Sequence, residues 1–386
     1  MADRRSRLRV GQLVVAQVAL AAVAVATAGP AWVLIGVAAA AAAILIGTFG
    51  RTGDRWWYEA VAGQRRFRRR RQLAAAHVVA AAVDGRPGPP HLAWLRTLAP
   101  GLSLRPVEVG GATVGVGQDP YGWFAAAEVG SLWEDDAPGG AEVPFADLAA
   151  LIQAGPDRQP VSTVQVAAVP AGASIRPAWV AVRISPAQAV ALERTGGESA
   201  VLRAVAAAAL RAARTLDRHG WPARALDPDG LLSALVEATG LDGPPQEHWK
   251  TWRSGRLVHT CYEVTGWEPA RGMLAHGVRR IVVAFSTAEP TILALVAGET
   301  ATLARICREV TQSVEGTGLR LRRFDGDQAP AMYACAPTGV PAALIDGRSP
   351  RRGPARRLGF GPEGRPRPGG RILGVSPGSR RGRLPH

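Results

Sequence analysis

Two apolar runs, residues 11–28 and 31–49, fill the first fifty positions and are parted by Gly29 and Pro30. Neither run contains a charge, and Gln12 and Gln17 are their strongly polar side chains. A helix needs about 20 apolar residues to cross the ~30 Å hydrocarbon core, and each run comes close to that length. A Gly-Pro pair breaks a helix and lets the chain reverse. The pattern predicts a two-helix transmembrane hairpin within residues 1–50. Small residues recur at spacings of four, three and four in the second run, at Gly36, Ala40, Ala43 and Gly47. They make a candidate helix-packing face, to be met by the first helix or by a helix of another subunit.

Beyond residue 50 the pattern changes to that of a water-soluble chain. Residues 51–83 read as a continuation of the second helix, and residues 84–90, dense in Pro and Gly, as a linker; together they make a basic juxtamembrane segment, 51–90. Alternating stretches at 102–109, 112–117, 123–129, 163–169 and 179–184 predict strands. A long amphipathic helix follows at 198–219. Asp227 and Pro228 open a second helix that Gly240 closes. Strands are expected around Gly255 and at 279–285 and 319–324, with a helix at 299–315 ended by Gly316. The expected fold is an α/β (α+β) domain over residues 91–346, divisible into sub-units near 91–240 and 241–346. Residues 347–386 hold ten Gly and seven Pro with almost nothing large and apolar. They read as a disordered Arg/Gly/Pro-rich tail, unable to bury enough surface to offset its ordering entropy.

Charge sharpens this picture. The net +15 divides into +9 for residues 1–71 (12 Arg against 3 acids) and +10 for 347–386 (11 Arg against one). The remaining 23 bases and 27 acids leave −4 on residues 72–346. A folded nucleic-acid-binding domain should carry its own basic face, and this one is mildly acidic. Arginines flank the hairpin on both sides: Arg4, Arg5, Arg7 and Arg9 before it, and Arg51, Arg55, Arg65, Arg66, Arg68, Arg69, Arg70 and Arg71 after it. Such flanks are retained in the cytoplasm, so a multi-pass inner-membrane protein with both termini cytoplasmic is expected. Trp56, Trp57 and Tyr58 suit the headgroup level, with the arginine cluster just beneath anionic lipid. The rival reading of the N-terminus is a secretory signal cleaved near Ala26-Thr27-Ala28. Even then the second run would stop transfer.

The search for chemistry yields little. Lys250 is the one lysine, and no Gly-rich loop ends in Gly-Lys-Ser/Thr, which excludes a Walker-type nucleotide site. Gly115-Val116-Gly117 lacks the third Gly and the helix of a dinucleotide loop and reads as part of a hairpin. Cys261, Cys307 and Cys335 are far apart and read as small buried hydrophobes. His259 and Cys261 share a strand face without a second ligand pair, so no metal site is assigned. Glu134, Asp135 and Asp136 read as a solvated loop. Asp325 and Asp327 have the spacing that holds a metal and nucleotide sugar in many glycosyltransferases, yet Gly326 between them is explained by an exposed tight turn. Trp249, Trp252 and Trp267 gather near one strand pair as a core edge or an interaction face. No catalytic, cofactor-binding or metal-ligating residue is assigned.

The order of these features resembles the EccE family, a membrane component of actinobacterial type VII secretion systems. The resemblance runs over most of residues 8–325. The paired apolar segments precede Arg55-Trp56-Trp57-Tyr58-Glu59 and Arg65-Arg66-Phe67-Arg68-Arg69-Arg70-Arg71. Next come Trp179-Val180-Ala181-Val182-Arg183-Ile184 and Leu226-Asp227-Pro228-Asp229-Gly230-Leu231-Leu232. Last are Glu247-His248-Trp249-Lys250-Thr251-Trp252 and His259-Thr260-Cys261-Tyr262. The tail matches nothing in that pattern. The resemblance implies a non-catalytic subunit of the inner-membrane secretion complex, with EccB, EccC and EccD components as neighbours and EccC as the motor ATPase. Two other readings stay open: a membrane-tethered glycosyltransferase-like enzyme using Asp325 and Asp327, and a tether that grips anionic lipid or nucleic acid through the tail.

Overall fold

The computed structural model describes residues 10–52, 55–56, 61–73, 90–130, 143–152, 161–171, 174–265, 278–286, 290–316 and 319–345. The tail, the acidic loop at 134–136, Trp57, Tyr58, Trp267 and most of the Pro/Gly linker lie outside the described residues.

Helices α1 (Val10–Ala26) and α2 (Ala31–Phe49) pack against each other. Pro30, extended at ψ 149°, starts α2. The amide of Gln12 donates to the carbonyl of Thr48 at 3.1 Å, so the two helices run antiparallel. That bond gives the buried polar side chain of α1 an acceptor. Among the described residues α2 is the helix long and apolar enough to cross a membrane, whereas α1 has 17 residues.

The expected helical continuation past residue 50 does not occur. Gly50 leaves α2 in an extended conformation, and strands β1 (Arg51–Thr52) and β2 (Arg55–Trp56) pair antiparallel, Arg51 opposite Trp56. Thr52-Gly53-Asp54 is turn chemistry, which a helix tolerates poorly. A new helix, α3, covers residues 61–73.

The rest is a mixed helix/strand domain built on one antiparallel sheet. Its strands are β3 (Ser103–Val109), β4 (Ala112–Asp119), β5 (Gly122–Val129), β6 (Thr163–Ala171), β7 (Ser174–Ile184), β8 (Ala223–Ala225), β9 (Gln246–Glu247), β10 (Trp252–Ser254), β11 (Leu257–Thr265), β12 (Val278–Ser286), β13 (Thr291–Gly298) and β14 (Arg320–Arg323). The order is β3-β4-β5-β7-β6-β12-β13-β11-β10-β9, with β8 on β5 and β14 on β11. The sheet runs without interruption across residue 240, joined where β6 pairs with β12, Val166 opposite Val283. Gly115-Val116-Gly117 lies inside β4, in a hairpin with β5.

Alternation along the central strands sends side chains to two separate cores, as in β12, where Ile281 and Val283 enter one and Val282 the other. Over the first lie α5 (Phe145–Ala150), α6 (Pro186–Arg218) and α8 (Thr300–Gly316). The second is covered by α4 (Pro90–Leu98), α7 (Pro228–Thr239), α9 (Gln328–Cys335) and α10 (Ala342–Ile345). Helix α6 begins twelve residues earlier than the expected 198, at a capping box between Ser185 and Gln188, and breaks at Gly196 and Gly197. Helix α7 has the expected ends: the Asp227 carboxylate accepts from Gly230 N–H at 2.7 Å, and Gly240 turns left-handed at φ +60°.

Candidate functional site

The expected arginine cluster lies along α3, and one side of that helix is docked on the domain. The acceptor is a notch formed where the segment leading into β10 meets the start of α9. Its floor is acidic: the Asp327 side chain is 1% exposed and that of Glu247 8%. Two carboxylates this deep need cations opposite them. Arg70 supplies one, with a guanidinium nitrogen 3.0 Å from Asp327 and another 3.3 Å from Glu247, and it donates to the carbonyl of Gly326 as well. Arg66 stands 3.9 Å from Asp327. Burial raises the Glu247 carboxyl above its ordinary pKa, opposed by the pull of Arg70 and by a hydrogen bond from Ala329 N–H. Both acids sit at the N-terminus of α9, where the helix dipole favours negative charge.

An aromatic contact completes the notch. Phe67 meets Trp249 edge-on, ring centroids 5.4 Å apart. Trp249 lies across Gly326, whose N–H donates to the Trp249 carbonyl at 2.6 Å. Gly326 has φ +80°, and a Cβ there would come within 2.5 Å of the indole, so only glycine suits the position. The tight turn at Asp325-Gly326-Asp327 is therefore present, but it is not exposed. Asp325 pairs with Arg323 and Asp327 is buried against Arg70, so the two are committed to separate arginines.

Arg65, Arg68 and Arg69 occupy the other side of α3, exposed and without a partner among the described residues. Arg71 is exposed with its guanidinium 5.7 Å from the Phe67 ring. Arg51, Arg55 and Trp56 belong to the β1–β2 hairpin. On α2, Gly36, Ala40 and Ala43 are exposed and Gly47 half-buried, while Ala41 is the alanine buried on that helix.

Other buried polar groups escaped sequence reading. Arg183 forms a two-pronged pair with Asp119 at 2.8 and 2.7 Å and donates to the Thr338 carbonyl at 2.8 Å; the Tyr333 hydroxyl donates to the same carboxylate at 2.7 Å. Gln165 accepts from Gly339 N–H and donates to the Ala334 carbonyl. These bonds fasten residues 333–339 to the first half of the sheet. Arg280, 3% exposed, donates to the Ala238 carbonyl at the end of α7 and lies 4.7 Å from the Trp179 ring. Burial lowers its pKa to about 10. Among the described residues no three His, Cys, Asp or Glu side chains are grouped to hold a metal ion. The geometry suits holding parts together: it couples a helix emerging from an apolar segment to a sheet domain.

The class defined by this fold is a membrane-associated α/β protein with an N-terminal apolar helix. Residues 173–264 match the model of the EccE family, described as "Putative type VII ESX secretion system translocon, EccE". That stretch runs from the start of β7 nearly to the end of β11 and contains Glu247 and Trp249 of the notch, in accord with the resemblance drawn from the sequence. No curated protein matches the chain.

Proposed function

We propose that the protein is a non-catalytic structural subunit of an inner-membrane type VII secretion complex, supporting protein export. The observation that carries this reading is the EccE match over residues 173–264. In this reading α1 and α2 form a two-span hairpin and the arginine flanks keep both termini in the cytoplasm. Residues 51–90 lead to a cytosolic α/β domain over 91–346. Its partners are EccB-, EccC- and EccD-like subunits, including the motor ATPase, and anionic lipid contacted by the Arg51–Arg71 segment; nucleic acid and cofactors have no part in it. Support comes from the apolar character of α2 and from a buried polar chemistry that is spent on holding elements together. The exposed face at Gly36, Ala40 and Ala43 is then free for a helix of another subunit.

The test is affinity purification of the full chain from membranes in mild detergent. A motor ATPase and further membrane subunits should co-purify in stable proportion. Isolation of the chain alone, fully folded and still membrane-extracted, would count against the reading.

A further inference from the structure

We propose that α3 divides its arginines between two partners: Arg66 and Arg70, with Phe67, grip the α/β domain, while Arg65, Arg68 and Arg69 bind anionic lipid headgroups of the bilayer entered by α2. The inference rests on reading α2 as a membrane span. At 3.6 residues per turn each residue advances by about 100°. Arg66, Phe67 and Arg70 therefore share one side of the helix, and Arg65, Arg68 and Arg69 share the opposite one. The first side is occupied by Glu247, Asp327 and Trp249. On the second, three guanidinium groups stand exposed with no partner among the described residues. Like charges at these spacings weaken a helix unless anions face them.

Position decides which anion. Residues 50–60, eleven positions, separate the end of α2 from the described start of α3, and the β1–β2 hairpin folds back within them. Attraction between exposed charges and a membrane fades within about 8 Å at physiological salt, so only a segment held beside the surface benefits. Basic segments directly after a span meet the anionic leaflet in this way. Because the opposite side of α3 is locked to the notch, the helix acts as a rigid bracket. It fixes the height and tilt of the sheet beneath the bilayer.

The test uses the full chain in nanodiscs of phosphatidylcholine alone or mixed with phosphatidylglycerol. Arginines are modified with phenylglyoxal and the rates read by mass spectrometry. Phosphatidylglycerol should slow modification of Arg65, Arg68 and Arg69 by roughly fivefold each. Arg70 should be slow in both discs, and Asp327→Asn should speed it in phosphatidylcholine. The charge-reversed chain R65E/R68E/R69E should keep the wild-type denaturation midpoint, showing that any loss of lipid response is not misfolding. Equal rates for Arg65, Arg68 and Arg69 in the two discs would overturn the proposal. So would equal protection by inorganic phosphate, or protection only by an added oligonucleotide, each of which assigns the face to a different ligand. A chain that fails to stay in the disc overturns the membrane reading itself, and the proposal with it. A chain that stays embedded but shows no lipid response overturns the proposal alone.

Discussion

At the scale of single residues the domain hides several charged and polar side chains. Arg183 is 1% exposed; it bonds Asp119 and the Thr338 carbonyl, and Tyr333 bonds the same Asp119 carboxylate, so the network joins three stretches of chain, around 119, 183 and 333–338. A buried pair of this kind contributes little net stability against an apolar substitute, but losing one member leaves a bare charge. Its effect is to fix which segment lies where. His259 is hidden without compensation of that sort. It is 2% exposed, and burial, reinforced by Arg279 and Arg280, lowers its pKa to about 4. The unfolded chain holds the proton up to the ordinary value near 6.5, so between about 4 and 6.5 it binds more protons than the folded one. Stability from this residue is complete above pH 6.5 and is lost as pH falls towards 4, by an amount on the order of 3 kcal/mol. We expect His259→Gln to flatten that part of the pH dependence. Urea midpoints for both proteins at a series of pH values measure it, and parallel curves would show that His259 does not titrate as described.

At the scale of elements, the docking of α3 has the clearest consequence. Arg70→Ala takes away the arginine that pairs with both Asp327 and Glu247 and leaves Arg66, 3.9 Å from Asp327, as the remaining arginine of α3 at the notch; removing one partner of a buried pair costs up to about 3–5 kcal/mol. Arg68→Ala, on the exposed side, should stay within about 0.5 kcal/mol of wild type. Chemical denaturation in detergent measures the first difference. Trypsin adds a second readout, because a released α3 should be cut at its remaining arginines faster in the Arg70 variant alone. Similar behaviour of the two variants would mean that α3 is not held by Arg70.

Which elements were legible follows from how local their signals are. Helix α7 could be read end to end, because Asp227, Pro228 and Gly240 act on their own backbone neighbours. The start of α6 was equally local, written as Ser185-Pro186 with Gln188, but Gly196 and Gly197 masked its connection to the later turns. Helix α9 carries a proline, Pro330, which is accepted in the first turn because its missing N–H has no intrahelical acceptor there; no helix is expected in this stretch from the sequence. Strand β13, flanked by β11 and β12, lacks a polar alternation because it is buried on both faces. The notch was beyond sequence reading: Arg70 lies 257 positions before Asp327, and nothing local distinguishes it from Arg69. The cluster was legible as basic, but its division between two sides of a helix was not.

At the scale of the whole molecule, the arginine flanks of the apolar segment predict one orientation. Alkaline phosphatase fused after Gly347 should be inactive and a cytoplasmic reporter at the same place active. An active phosphatase fusion would place the C-terminal side of the chain across the membrane. The sheet also constrains how the chain can be made. Its central joint is β6 against β12, with Ala168 opposite Ile281. At about 5–20 residues per second, a ribosome that has released β6 needs on the order of ten seconds to deliver β12. Throughout that interval a nascent strand rich in Val and Ala presents an open edge. Newly made chains would therefore meet one another at their most adhesive stage, and a chaperone able to cover the β6 edge during translation should determine how much of the protein reaches its complex intact.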